Sequence, residues 1–225
     1  MIELFFDNTP NGKKISIMLE EINFKYKITR INIRKKEQFS ETYKKINPYG
    51  KIPAIIDHDK NLTIVESGAI LIYLAKKSKK FLFINNEIKV YEWLMFQISN
   101  VGPTLGHLHH YSHFNPGKSL YSEERFYHNT LRVYDALNQQ LKQNNYIAGD
   151  EYSIADISLF PWIARHDWHM PDRIDLRNDY KFLVEWYERI SIRSGVIRGF
   201  DCLKNGEQIP KINFKESYLK NRPLL

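Results

Sequence analysis

Cysteine is almost absent from this sequence: Cys202 is the single one among 225 residues. One cysteine excludes an intrachain disulfide, and neither a CxxC pair nor a cysteine–histidine spacing typical of zinc is present. We therefore expect a cytoplasmic protein in a reducing environment. Because no base lies beside Cys202 in the sequence, we predict that it is a small packing residue.

Long apolar runs are also absent, since none approaches the roughly 20 residues that a membrane-spanning helix needs. Residues 1–7 are too short and too acidic for a signal peptide and are typical of a strand. The sequence therefore predicts no membrane partner.

Positive charge is plentiful but is not concentrated in one stripe. Lysine and arginine number 33 against 26 acidic residues, for a formal net charge of +7. Since no helix-turn-helix or RNA-binding motif accompanies this charge, we expect no nucleic-acid partner. An apolar fraction of 43% and an aromatic fraction of 14% indicate a packed globule with one large or two modest domains.

The first 80 residues alternate between strand and helix patterns. Thr9 is suited to cap a helix and Pro10 to occupy its first position. The strand–helix–strand crossover predicts that the first two strands are parallel. The predicted strands are 1–6, 26–33, 53–57 and 62–65, and the predicted helices are 10–23, 41–46 and 67–78. This βαβαββα order is typical of a thioredoxin-like domain.

Beyond a linker at 79–86 the strand patterns fade and helical periodicity takes over. Long helices are predicted over an apolar stripe at 91–105, which Gly102 and Pro103 would bend, and over 122–143. Ser153 followed by Asp156 resembles a capping box that opens an apolar, central helix. A further helix is predicted over 180–192 and an irregular tail from residue 205. We thus predict a thioredoxin-like domain at 1–80 and an all-helical domain at 87–225.

The stretch 47–70 combines two features that suit a small peptide. Pro53 leads a strand, and a cis peptide there would present the N–H and C=O of Ile52 as an open hydrogen-bonding edge. Glu66 and Ser67 lie where the next helix begins, and a helix N-terminus favours an anion. An extended edge beside a carboxylate seat therefore predicts a peptide-binding site.

The motifs of both halves resemble those of cytosolic glutathione S-transferases. They are Lys-Ile-Pro-Ala at 51–54, Glu-Ser-Gly-Ala-Ile at 66–70 and Ser-Ile-Ala-Asp at 153–156. Narrower motifs resemble the bacterial nu class, which contains glutathione-dependent disulfide-bond oxidoreductases; they lie at 8–12, 37–39, 93–97 and 102–106. The resemblance implies glutathione as cosubstrate and a homodimer, with helices 87–106 and 122–143 at its core.

The resemblance also implies where the glutathione thiol is activated. Many of these transferases use a Tyr, Ser or Cys near the end of the first strand, where this chain has Phe-Phe-Asp at 5–7. Thr9 and Asn11 can each donate a hydrogen bond to a thiolate, which lowers the thiol pKa without a general base. The sequence by itself also fits an ordinary N-cap at Thr9 and a turn residue at Asn11, and one cap can serve both purposes.

The rest of glutathione is assigned by charge. Ile52 would pair through its backbone with the cysteinyl unit. Ser67 would bind the γ-glutamyl carboxylate and Glu66 the amine. The predicted glutathione-binding residues are Asn11, Gln38, Lys51, Ile52, Glu66, Ser67 and Arg132.

Three of these assignments have weaker grounds. Gln38 and Lys51 are candidates for the glycine carboxylate, and Gln38 ranks first because a lysine is more often simply solvated. Arg132, on the second long helix, fits a ligand contact and a surface ion pair equally well.

A histidine cluster at 107–113 offers a competing interpretation. His107, His109, His110 and His113 include helical pairs that could hold a metal. No carboxylate or cysteine completes the set within this run, so we expect no metal. An acceptor pocket or a dimer surface is the preferred interpretation.

The function predicted from the resemblance is a glutathione-dependent thiol–disulfide oxidoreductase or transferase. The thiolate held by Thr9 and Asn11 would attack a small disulfide, a peroxide or an electrophile, and which of these it attacks stays open. Two glutathiones, or one glutathione disulfide, would bind per site. The alternative is a non-catalytic regulatory or binding protein of the same fold.

Overall fold

The computed structural model describes residues 1–213, and the first part of the chain forms a four-stranded sheet in the order β2-β1-β3-β4. β1 is parallel to β2 and antiparallel to β3, which pairs antiparallel with β4. The strands are β1 Ile2–Phe6, β2 Tyr26–Arg30, β3 Ala54–Asp57 and β4 Leu62–Val65. The predicted thioredoxin-like arrangement and the parallel first pair are confirmed.

Helices make up most of the rest of the described chain. They are α1 Pro10–Ile22, α2 Glu41–Lys44, α3 Ser67–Ser78, α4 Glu87–Phe96, α5 Gly102–Leu108, α6 Leu120–Leu141, α7 Ile154–Ile163, α8 Leu176–Asp179, α9 Lys181–Ser191 and α10 Ser194–Phe200. Between residues 79 and 213 the β-structure is limited to one isolated bridge, Tyr146 to Gly149. None of the helices within residues 1–213 has the length and apolarity to cross a membrane.

Helix α7 lies at the centre of the fold, as its apolar sequence predicts. All ten of its residues are buried, and it packs against α1, α3, α4 and α9. The predicted capping box is present, since the Asp156 carboxylate accepts from the backbone N–H of Ser153 at 3.0 Å. Because α7 contacts α1 and α3, it carries side chains of the helical half to the sheet domain.

The predicted second strand is too long by three residues. β2 ends at Arg30, and Ile33 begins a 3₁₀ turn that Asn32 caps. The backbone N–H of Ile33 donates to the buried carboxylate of Asp7 at 3.0 Å, which draws the chain away from the strand direction. The apolar residues Ile31 and Ile33 fit the alternation of a strand, and for this reason the sequence predicted that β2 continues past Arg30.

The stripe at 91–105 deviates from the prediction in a second way. The helix runs on from α4 to α5 through a π-helical segment, Gln97–Val101, so the irregularity begins before Pro103. Met95, whose spacing places it on this stripe, is 47% exposed, so the stripe is not buried along its whole length. The π segment turns the helix face, so the simple 3.6-residue period fails across it.

Two short helices, α8 and α10, were not predicted. α10 packs closely against α1 through Gly199, where an added Cβ would lie 2.4 Å from the Cα of Ile17. Glycine lowers helix propensity, so the sequence of α10, which contains two glycines, did not predict a helix.

The boundary predicted at 80–87 stays a prediction. The linker is packed rather than extended, since the carbonyl of Phe81 accepts from the N–H of Ile154 at 2.9 Å. The tail from residue 205 has no helix or strand up to residue 213, and residues 214–225 of the predicted second domain lie outside the described residues.

Candidate active site

The loop after β1 is fixed by a buried carboxylate. Asp7 accepts from the backbone N–H groups of Asn8 and Ile33, both at 3.0 Å, and its carbonyl accepts from Thr9 at 2.7 Å. Helix α1 approaches this loop so closely that a Cβ on Gly12 would lie 2.4 Å from the Asp7 carbonyl oxygen. The start of α1 is therefore held in one position relative to the sheet.

Thr9 caps α1, and the cap leaves its hydroxyl proton available. The Thr9 Oγ1 accepts from the N–H of Gly12 at 3.1 Å. A hydroxyl has one proton to donate and two lone pairs to accept with, so capping consumes only a lone pair. Thr9 can therefore cap the helix and donate to a thiolate at the same time.

The Asn11 amide is oriented by a residue of the helical half. Its Oδ1 accepts from the indole Nε1 of Trp162, on α7, at 3.1 Å. Because an indole N–H only donates, the oxygen of Asn11 must face Trp162 and the NH₂ group must face away from it. Asn11 is thereby presented as a hydrogen-bond donor, and no sequence motif indicated the role of Trp162.

The Ile52–Pro53 peptide is cis, and it precedes the paired part of β3. The carbonyl of Lys51 is held by the Tyr43 hydroxyl at 2.7 Å and by the Asn47 amide at 2.8 Å. Strand pairing begins only at Ala54, and none of the hydrogen bonds among residues 1–213 uses the N–H or C=O of Ile52. The predicted open edge is present.

Glu66 has a backbone conformation that few non-glycine residues adopt. Its φ is +66°, it immediately precedes α3, and its carbonyl accepts from the N–H of Ile70 at 2.9 Å. Such a conformation costs on the order of 1–3 kcal/mol and is typical of ligand-binding positions. The side chain of Glu66 is exposed, while that of Ser67 is half-buried.

The sheet brings these residues to one end. Phe5, near the end of β1, is paired with Ala54 at the start of β3, which is paired with Val65 at the end of β4. Three parts of the predicted site lie next to these positions in the chain. The Thr9–Asn11 turn follows Phe5, the Ile52 edge precedes Ala54, and the Glu66–Ser67 corner follows Val65. The register thus assembles most of the predicted site.

Lys14 joins this site although the sequence did not indicate it. Its side chain is 2% exposed, and its Nζ donates to Ser67 Oγ at 3.2 Å and to Gln97 Oε1 at 2.5 Å. Burial lowers the pKa of Lys14 to about 7, and the charge of Glu66 partly opposes that shift. Its spacing to the buried Met18, four residues on, was an available indication that Lys14 faces inward.

The three weaker candidates are less integrated. Gln38 lies in a 3₁₀ turn with its Oε1 buried, and within residues 1–213 that oxygen has no hydrogen-bond partner. Lys51 is exposed, with its Nζ 5.6 Å from the ring centroid of Tyr49. Arg132 is exposed on α6, and no hydrogen bond or ion pair joins it to another described residue.

The histidine cluster divides into one buried and three exposed side chains. His109 is buried, with its Nε2 2.8 Å from that of His169, which is bonded in turn to the Tyr134 hydroxyl. Burial lowers the pKa of His109 to about 3 and that of His169 well below its ordinary value. His109 also stacks on Trp162 with ring centroids 5.9 Å apart.

No group of three or more metal-ligating side chains comes together anywhere in residues 1–213. The exposed histidines are His107, His110 and His113.

The C-terminal segment reaches the same loop. Glu207 accepts from the Asn8 amide at 2.6 Å and from the buried Nζ of Lys13 at 2.9 Å, and Arg165 approaches its other oxygen at 3.3 Å.

Cys202 is half-buried against the core, where burial raises the pKa of its thiol, in keeping with a packing role.

The family comparisons cover both halves of the chain. Residues 5–76 match the family model described as glutathione S-transferase, N-terminal domain. Residues 124–189 match the one described as glutathione S-transferase, C-terminal domain.

Individual relatives align over most of the chain. The disulfide-bond oxidoreductase YfcG of Escherichia coli K12 is 40% identical over 202 residues, which are 86% of this chain and 91% of the relative. A glutathione transferase from Burkholderia graminis, solved with two glutathione molecules per subunit, has a TM-score of 0.85 and 32% identity over 91% of this chain and 89% of that one. A glutathione transferase from Pseudomonas putida, solved with one glutathione disulfide per subunit, has a TM-score of 0.83 and 31% identity over 88% and 90%.

Proposed function

The chain belongs to the glutathione S-transferase family, and from that membership and its site we propose that it is a glutathione-dependent thiol–disulfide oxidoreductase. The observation that carries the proposal is the paired donor set at the start of α1. Thr9 keeps a hydroxyl proton while it caps the helix, and Trp162 turns the Asn11 amide so that its NH₂ group is free to donate. Two donors and a helix N-terminus stabilise a thiolate.

The reaction needs no protein cysteine. The thiolate of one bound glutathione attacks a sulfur of the substrate disulfide, forms a mixed disulfide and releases a thiolate. A second glutathione thiolate attacks the glutathione sulfur of that mixed disulfide and releases the second substrate thiolate. Two glutathiones are oxidised to one glutathione disulfide, and the substrate disulfide is reduced to two thiols.

The site offers a place for each part of the ligand. The N–H and C=O of Ile52, which are unpaired within residues 1–213, suit the cysteinyl backbone, and the corner of Glu66 and Ser67 suits the γ-glutamyl amine and carboxylate. Gln38 is assigned to the glycine carboxylate, because its NH₂ group can donate to a carboxylate. We keep Lys51 and Arg132 as outlying candidates, since both are exposed.

The finer assignments are part of the same proposal. We propose membership in the nu class, a homodimer, and a cytoplasmic location, where reduced glutathione is available for the reaction. Solved relatives with two glutathiones or one glutathione disulfide per subunit support a site that holds two glutathionyl units.

The test is reduction of 2-hydroxyethyl disulfide by glutathione, with product glutathione disulfide measured by a coupled reductase. We expect turnover well above the buffer rate, and a loss of about 10- to 100-fold in Thr9→Ala, because one charge-assisted hydrogen bond is removed. Calorimetry with glutathione disulfide runs in parallel. Binding without turnover would instead favour the non-catalytic alternative, and absence of both would overturn the proposal.

A further inference from the structure

Lys14 has an environment that fixes its hydrogen-bonding direction. Its ammonium group has three donors and no acceptor. Two of its contacts are the Ser67 Oγ at 3.2 Å and the Gln97 Oε1 at 2.5 Å, both acceptors. Ser67 must therefore accept from the charged form of Lys14, and its own hydroxyl proton is left to donate to a group outside.

Within residues 1–213, the charge of Lys14 is only partly balanced. Glu66, from the corner before α3, is the acidic group that faces it, while Gln97 from the π segment and Ser67 from α3 are neutral. The neighbouring Lys13 points elsewhere, to the Phe200 carbonyl and Glu207. A buried cation with so little compensation favours an anion at the adjacent Ser67.

We propose that Lys14 is a positioning residue that acts through Ser67 and makes the site selective for ligands with an α-carboxylate on the γ-glutamyl unit. This inference rests on the proposed glutathione site. The ammonium group donates to the Ser67 oxygen, so the Ser67 hydroxyl proton is left to donate to the ligand. Its positive charge, next to Ser67, also stabilises the ligand carboxylate. A ligand without that carboxylate gains nothing from Lys14.

Proton uptake on binding is a consequence. In the free site burial lowers the pKa of Lys14 to about 7, so near neutral pH part of the population is uncharged. A carboxylate beside it stabilises the charged form and raises the pKa, so binding takes up protons. Affinity is therefore highest below pH 7 and falls as pH rises through 7 toward the higher pKa of the bound state.

The first experiment uses calorimetry with three S-methylated ligands, because methylation removes the titrating thiol. They are S-methylglutathione, its 4-aminobutyryl analogue without the α-carboxylate, and its glutaryl analogue without the α-amine. In Lys14→Met we expect a loss of about 10- to 100-fold for the two ligands that retain the carboxylate, and less than about threefold for the 4-aminobutyryl analogue.

Lys13→Met is the matched control. It removes an equally buried lysine of the same helix, whose ammonium group contacts Glu207 and not Ser67. We expect it to change all three affinities by one common factor. An equal loss for all three ligands in Lys14→Met as well would show a general structural role and overturn the inference.

The second experiment needs no variant. Wild-type binding is measured at pH 7.5 in two buffers of different ionisation enthalpy. We expect uptake of a fraction of a proton with S-methylglutathione and none with the 4-aminobutyryl analogue. Absence of uptake overturns the inference alone, whereas absence of S-methylglutathione binding by the wild type overturns the proposed function together with it.

Discussion

Trp162 and Asn11 lie 151 residues apart in the chain, and a single hydrogen bond of 3.1 Å joins the indole nitrogen to the amide oxygen. The bond crosses from the central helix of the helical half to the first helix of the sheet half. It decides which end of the Asn11 amide faces the position where a glutathione sulfur would lie. In the proposed mechanism, the helical half therefore takes part in thiol activation through Trp162.

Trp162→Phe keeps the aromatic packing but removes the only N–H of the side chain. Asn11 can then rotate its oxygen toward the thiolate, which repels it, so we expect kcat for disulfide exchange to fall about 3- to 10-fold. KM for glutathione should change little, because the binding edge at Ile52 is untouched. Steady-state kinetics with the thiol–disulfide assay measures both constants.

Trp186→Phe is the matched control for that experiment. Its indole N–H donates to the buried Asp156 at 2.8 Å, away from the Thr9–Asn11 turn. We expect it to lower the melting temperature while kcat stays near that of the wild type. A larger effect on kcat than that of Trp162→Phe would contradict the role given to the Asn11 contact.

Thr9 allows capping and thiolate stabilisation to be separated. Thr9→Asp keeps a strong N-cap but replaces the hydroxyl donor with a negative charge, so stability should be retained and the thiol pKa of bound glutathione should rise. Thr9→Ser keeps both functions and should retain most of the activity. Thiolate absorbance against pH measures the thiol pKa, and thermal unfolding measures the cap.

Two outcomes would contradict a role for the Thr9 hydroxyl in thiolate stabilisation. If Thr9→Asp leaves both the thiol pKa and the exchange rate unchanged, Thr9 is only a cap. If Thr9→Ala lowers stability and activity in proportion while Thr9→Asp restores both, the hydroxyl has no part in the chemistry.

Local patterns were sufficient to predict the sheet domain and the peptide edge at Ile52. Those features depend on Pro53, on the start of α3 and on strand alternation, all of which lie close together in sequence. The contacts of Lys14 with Gln97 and of Lys13 with Glu207 join residues 83 and 194 positions apart. Such contacts arise from tertiary packing between distant parts of the chain, which a single sequence does not encode in any local period.

The environments of Lys14 and Met95 also depend on tertiary contacts, and the sequence did not predict them. Lys14 lies on a helix that the sequence predicted correctly, but a lysine in a basic chain is ordinarily assigned to solvent. The spacing of Met95 fits the apolar stripe of a regular helix, but its side chain is 47% exposed. A π segment, Gln97–Val101, begins two residues later, and its first side chain, Gln97, is buried and accepts from Lys14.

The buried pair His109 and His169 predicts acid sensitivity. Burial lowers the pKa of His109 from 6.5 to about 3 and that of His169 in the same direction. Below pH 6.5 the unfolded chain binds protons that the folded chain does not, so stability falls as pH falls. Each histidine contributes a slope of up to about 1.4 kcal/mol per pH unit.

His109→Gln should reduce this slope, measured from urea unfolding between pH 7.5 and pH 5. The substitution keeps a polar side chain beside His169 and removes one titrating group. His110→Gln, which changes an exposed histidine of the same segment, is the matched control and should retain the wild-type slope. Equal slopes in all three proteins would show that the buried pair is not the source.

An exposed apolar face on α4 is where we expect the two copies of the proposed homodimer to meet. Ile88 and Met95 are 68% and 47% exposed, and Ile84 just before the helix is 93% exposed. Burying such side chains at roughly 25 cal/mol per Å² favours association, and a charge placed among them opposes it. Ile88→Asp combined with Met95→Asp should therefore reduce the mass in light scattering from twice 26.8 kDa to 26.8 kDa. Ile192→Asp, which alters a 77% exposed isoleucine after α9, should leave the dimer intact, and a dimer that survives the α4 substitutions would place the interface elsewhere.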